Sequence, residues 1–211
     1  PHLDYAPLAR RTLIGFSDLT ALHLALFARA GAPFIHGPVV TQLCDLPEVD
    51  RQALADRIRH PNRPVTLGGA PGCADASSPR EAAEGVLIGG CLALVAGLVG
   101  TPYAAFPERT ILMLEEVGEA PYRVDRMLTQ LELAGAPGRV VGVALGGLTR
   151  CDAARDGEPD GLEVARERIA GWRVPLVTGL PVGHGTRNHP VPLGRRARLD
   201  PTAGTLEVGL C

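Results

Sequence analysis

Aromatic side chains are scarce in this chain. Its 211 residues hold four Phe, three Tyr and one Trp, too few for a row of platforms on which nucleic-acid bases could stack. Neither sign of charge is in excess: 21 Lys and Arg stand against 23 Asp and Glu, a formal net charge of −2. That balance leaves no electrostatic footprint for nucleic acid or an anionic membrane, and neither is expected as a partner. The short cluster Arg195-Arg196-Arg198 reads as a solvated strand face. No C-x-x-C pair occurs among Cys44, Cys73, Cys91, Cys151 and Cys211. An odd, scattered set argues against a disulfide framework and a cysteine zinc site, and suits a reducing compartment. H-E-x-x-H is missing too, so neither a metal nor another cofactor is expected. The stretch nearest to a membrane span, the uncharged run 85–100, is shorter than the roughly 20 residues a span needs, and glycines break it. The opening residues do not read as a secretory leader, and a cytoplasmic location is expected.

What is present is the texture of a globular protein, with 45% apolar and 21% charged residues. Apolar strand-like runs alternate with helix-like ones, which favours an α/β fold. The periodicity predicts helices over 18–30, 46–58, 91–98, 121–134 and 162–170. Strands are expected at 12–14, 33–35, 85–88, 111–114, 140–145 and 175–177, with a terminal hairpin from 196–199 and 205–208. Between His60 and Arg80 proline and glycine accumulate, the chemistry of a linker. The expected domains are therefore 1–64 and 81–211, joined by a linker at 65–80.

Three loops carry candidate chemistry. Gly15-Phe16-Ser17-Asp18-Leu19 stands between a strand and a helix. A serine there can present its hydroxyl outward, with the next backbone N–H facing an oxyanion. It can equally serve as an ordinary N-cap. Glu115 follows a buried strand, where α/β sheets gather ligands, although Glu115 and Glu116 could merely begin a solvated turn. His184, flanked by Gly183 and Gly185, sits on a permissive loop. His23 is expected to be structural and His36 to serve a tight turn, while His2, His60 and His189 carry no signal. A serine hydroxyl needs a base, an imidazole supplies one near neutral pH, and a carboxylate orients the imidazole.

The sequence resembles the LD-carboxypeptidases, a family that includes murein tetrapeptide carboxypeptidases and microcin C self-immunity peptidases. The resemblance is carried by Ile14-Gly15-Phe16-Ser17-Asp18-Leu19, His36-Gly37-Pro38, Gly89-Gly90-Cys91-Leu92, Leu112-Met113-Leu114-Glu115-Glu116-Val117, Pro121-Tyr122-Arg123-Val124 and Gly179-Leu180-Pro181-Val182-Gly183-His184. It implies a flavodoxin-like parallel-sheet domain bearing the serine and a swivelling β/β/α-type C-terminal domain bearing Glu and His. It also implies a triad of Ser17, His184 and Glu115, with Glu116 as rival acid and the Asp18 N–H in the oxyanion hole. Strands that precede the serine in the family are not found before Pro1, so the chain is expected to be the remainder of a longer protein. Cys91 stands where the family usually has asparagine. The implied activity is release of D-alanine from murein tetrapeptides during cell-wall recycling, by a homodimer. The alternatives are cleavage of peptidyl or aminoacyl nucleotides, which asks for an aromatic such as Trp172 in the crevice, and an inactive relic.

Overall fold

Four consecutive residues with no exposed surface, Ile111, Leu112, Met113 and Leu114, mark the centre of the larger of two sheets. The computed structural model describes residues 4–69, 79–104 and 106–209. The first part of the chain runs α1 (Tyr5–Leu8), β1 (Ile14–Gly15), α2 (Leu19–Ala30), β2 (Phe34–His36) and α3 (Glu48–Arg59). Next come β3 (Val65–Gly68), β4 (Ala83–Cys91), α4 (Leu92–Leu98), β5 (Thr110–Val117) and α5 (Pro121–Leu133). The remainder is β6 (Val140–Thr149), α6 (Gly161–Gly171), β7 (Leu176–Val177), β8 (Val191–Leu193), β9 (Arg195–Asp200) and β10 (Thr205–Val208).

The larger sheet has the order β3-β10-β9-β4-β5-β6-β7, with β4 to β7 parallel and the other pairs antiparallel. Parallel neighbours require crossovers, and α4, α5 and α6 supply them, with α5 packed against both others. This is the expected α/β class. Central β5 shows no alternation of burial through Glu116, as a strand covered on both faces should. In β9 the pattern returns to period two: Ala197 and Leu199 are buried while Arg196 and Arg198, which alternate with them, reach outward. Local signals fit the helix ends. Pro121 opens α5, whose Val124, Leu128 and Leu131 share the buried face. Asp160 and Glu163 form a reciprocal capping box on α6.

The smaller sheet has the order β1-β2-β8, with β1 and β2 parallel and β8 antiparallel. Its third strand thus returns from the far end of the chain. One residue later the chain enters β9 of the larger sheet. Gly194 makes that corner at φ 74, where an added Cβ would lie 3.0 Å from the Phe27 ring and 3.1 Å from Pro33 Cα.

Three expectations need correction. The linker expected at 65–80 opens with structure: Val65–Gly68 is an edge strand paired with β10. Proline and glycine on both sides concealed it, and the rest of that stretch, 70–78, lies outside the described residues. In place of the turn expected at Glu115 and Glu116, β5 continues through both. His36 lies in β2 rather than in a tight turn. As a proposal for the domain division, the small sheet with α2 and α3 forms one unit and the large sheet with α4 to α6 the other, β8 crossing back between them.

Leu112→Ala should cost about 2–5 kcal/mol of stability, because close packing around a fully buried position leaves a cavity that relaxes only in part. Urea unfolding checks this. A loss under about 0.5 kcal/mol would show that the β5 layer is not the core.

Candidate active site

The serine turn is strained. Ser17 has φ 58, a left-handed conformation that costs a non-glycine residue roughly 1–2 kcal/mol. The turn is held by Leu19 N–H donating to Phe16 O at 3.2 Å and Thr20 N–H to Ser17 O at 2.9 Å. The capping role is not taken up: Asp18 occupies the N-cap of α2, and no side chain caps that helix. Ser17 is half-buried and Asp18 exposed. Among the described residues neither the Ser17 hydroxyl nor the Asp18 N–H has a hydrogen-bond partner. Both groups are therefore free for a ligand.

Glu115 is fully buried near the C-terminal end of β5. Its Oε2 lies 2.7 Å from Nδ1 of His184, whose side chain keeps 16% exposure. A carboxylate accepts only, so Nδ1 is the donor in this contact, and in a neutral ring Nε2 is the nitrogen left to accept. The ring of His184 also leans on Phe16, centroids 4.5 Å apart at 53°. Phe16 directly precedes Ser17, so the imidazole is wedged between the carboxylate and the serine turn. No hydrogen bond joins Ser17 Oγ to His184 among the described residues. Without substrate, hydrogen bonds of catalytic groups are often long or poorly aligned. Gly183 makes the approach feasible. It has φ 110, and a Cβ there would fall 2.6 Å from Glu115 Oε2.

Glu116 faces elsewhere. The β5–β6 register shifts between Leu114 and Glu116, and alternation sends adjacent side chains apart. Its Oε2 accepts from Ala93 N–H, at the start of α4, at 2.7 Å, and its Oε1 from Val117 N–H, at the end of β5, at 2.8 Å. Burial raises its carboxyl above the ordinary range. Cys91 lies 3.6 Å from both of its oxygens. Burial, with Glu116 second, pushes that thiol up to about 12, so it holds almost no thiolate near neutral pH.

The other histidines divide clearly. His23 is buried and stacked on Phe34 at 4.4 Å, and burial pushes its pKa down to about 3. His36 is buried beside Phe16, its Nε2 without a hydrogen-bond partner among the described residues, and burial lowers it to about 4. His189, which carried no sequence signal, sits 3.4 Å from buried Asp50, a contact invisible to local pattern. Among the described residues no three metal-ligating side chains converge, and no helix is long and apolar enough to cross a membrane. An open cleft of about 410 Å³ borders the histidine loop, lined in part by Gly68, Gly147, Val182, Gly185, Thr186 and Arg187.

Residues 84–199 match the LD-carboxypeptidase C-terminal domain. The murein tetrapeptide carboxypeptidase of Pseudomonas aeruginosa is 38% identical over 221 residues, covering 95% of this chain and 67% of that protein. The crystal structure of muramoyltetrapeptide carboxypeptidase from Oxalobacter formigenes superposes with a TM-score of 0.84 at 30% identity, over 99% of this chain and 73% of that one. The microcin C7 self-immunity protein shares the fold, with a TM-score of 0.81 at 20% identity over 100% of this chain and 71% of that one. The chain spans about three fifths of the length of two other curated relatives, from Synechocystis sp. and Streptomyces coelicolor.

Two buried neutral imidazoles set a pH dependence. As pH falls from 6.5 toward about 4, the unfolded chain binds protons at His23 and His36 that the folded chain refuses. Stability should therefore drop through that window, by up to about 1.4 kcal/mol per pH unit for each histidine. Urea midpoints at pH 7 and pH 5 should separate less in His36→Gln than in the parent. Equal separations would refute the assignment.

Proposed function

Because the chain belongs to the LD-carboxypeptidase family, we propose that it is a serine peptidase cleaving an L,D-peptide bond to release D-alanine from murein tetrapeptides in cell-wall recycling. The observation that carries this reading is the 2.7 Å contact of His184 Nδ1 with buried Glu115, beside the strained Ser17 turn. It supplies an imidazole whose Nε2 can act as base beside the serine turn, where the Ser17 hydroxyl has no hydrogen-bond partner among the described residues.

In the proposed reaction Ser17 Oγ attacks the carbonyl carbon of the L-centre, and its proton passes to His184 Nε2. The resulting oxyanion is met by the Asp18 N–H. Collapse breaks the C–N bond, and the imidazolium returns the proton to the departing amine of D-alanine. Water, deprotonated in turn by His184, then hydrolyses the acyl-enzyme. Glu115 stays ionised and stabilises the imidazolium. Glu116, engaged with the backbone at the start of α4, is not assigned to the reaction.

The substrate class is supported by the murein carboxypeptidase relatives. A cytoplasmic location and a homodimer belong to the same proposal; Cys44, Cys91 and Cys151 are free thiols, as a reducing compartment would keep them. Cleavage of aminoacyl nucleotides gains no support from Trp172, which is packed in the core.

Ser17→Ala and His184→Ala should each lower D-alanine release by roughly 10⁴-fold or more with the fold retained, and Glu115→Ala by less. Release is read in a coupled D-amino-acid assay, with fluorophosphonate labelling of Ser17 as a second measure. Undiminished turnover in Ser17→Ala would remove the nucleophile, and a larger loss in Glu116→Ala than in Glu115→Ala would reassign the acid.

A further inference from the structure

Asp50, in the first turn of α3, has no exposed surface and takes no part in the site described above. A buried carboxylate is costly unless it is paired and hydrogen-bonded. Its partners all come from one short segment far along the chain. Arg187 donates from Nε to Oδ2 at 2.7 Å and from Nη2 to Oδ1 at 2.9 Å. The Asn188 N–H donates to Oδ2 at 3.2 Å, and His189 Nδ1 lies 3.4 Å from Oδ1. Burial pushes the Asp50 carboxyl up, but these donors together hold it below the ordinary range.

Asn188 extends the network in two directions. Its amide nitrogen donates to Gln42 Oε1 at 3.2 Å, and its Oδ1 accepts the Gly183 N–H at 3.2 Å. The loop neck is closed by His189 N–H donating to Pro181 O at 2.7 Å. His184 therefore lies between two tethered points. Gly183, just before it, is held by Asn188, and Arg187, three residues after it, is held by Asp50.

The Arg187 side chain keeps 41% exposure and could be solvated without a partner. The desolvation cost falls on Asp50, and a well-packed apolar residue there would serve stability as well or better. What the carboxylate adds is geometry. We infer that Asp50, acting with Asn188, is a positioning residue that docks the His184 loop onto the elements following the Ser17 turn and so fixes the imidazole between Glu115 and the serine. This rests on the reading of Ser17, Glu115 and His184 as one site.

The test uses Asp50→Asn, which keeps the shape and drops the charge, and Asn188→Ala, which removes both amide bonds. With murein tetrapeptide, kcat should fall about 10- to 100-fold while KM stays within about threefold, as for a misplaced base. In a His184→Ala background Asp50→Asn should cost nothing more, because its effect passes through the imidazole. The downfield proton resonance of His184 Nδ1–H, assigned by its loss in His184→Ala, should shift or broaden in both variants. Wild-type kcat together with an unshifted resonance would overturn the inference, as would an equal further loss in the His184→Ala background. If the parent chain releases no D-alanine, the functional reading fails on its own. The resonance then decides: a shift supports the docking role and an unchanged line refutes it. Should Asp50→Asn not fold, judged by circular dichroism, Asn188→Ala carries the same comparisons.

Discussion

The site depends on keeping the Glu115 carboxylate, fully buried at the end of a parallel strand, in contact with one imidazole. Such a group must be paired or lose its charge, and His184 is the pairing partner within hydrogen-bonding reach. Much nearby architecture follows. Gly183 must lack a side chain because the carboxylate oxygen occupies that space. The loop must come close enough for the ring to sit on Phe16. The serine turn is thereby brought beside an imidazole whose orientation the carboxylate fixes.

Two adjacent glutamates show how one strand divides its duties. Pleat and bulge send Glu115 to the histidine loop and Glu116 to the start of α4. Glu116 ties β5 to α4 through the Ala93 N–H and lies next to the unreactive Cys91 thiol. The same chemical group therefore has a proposed reactive role at one position and a structural one at the next, decided by what each faces.

The two sheets interlock rather than sit side by side. β8 completes the small sheet before the chain turns at Gly194 into the large one. Asp50 adds a polar tie across the same region. An apolar interface resists separation but tolerates sliding, whereas a carboxylate with four donors defines orientation. The proposed reaction, with its nucleophile and base on distant parts of the chain, would gain from such a tie.

The amino-acid sequence by itself determined the alternation of strands and helices, the serine turn, the ends of α5 and α6, and the family blocks. These are matters of near-neighbour periodicity, capping and glycine placement, which act over a few residues. It could not reveal β3, whose pairing partner β10 lies far along the chain and whose flanks resemble a linker. Nor could it tell which of Glu115 and Glu116 meets His184, since a one-residue step along a strand reverses the face, or give weight to His189 and Asp50, separated by 139 positions. Those outcomes belong to tertiary structure alone, because burial and long-range hydrogen bonding choose among side chains that are locally equivalent.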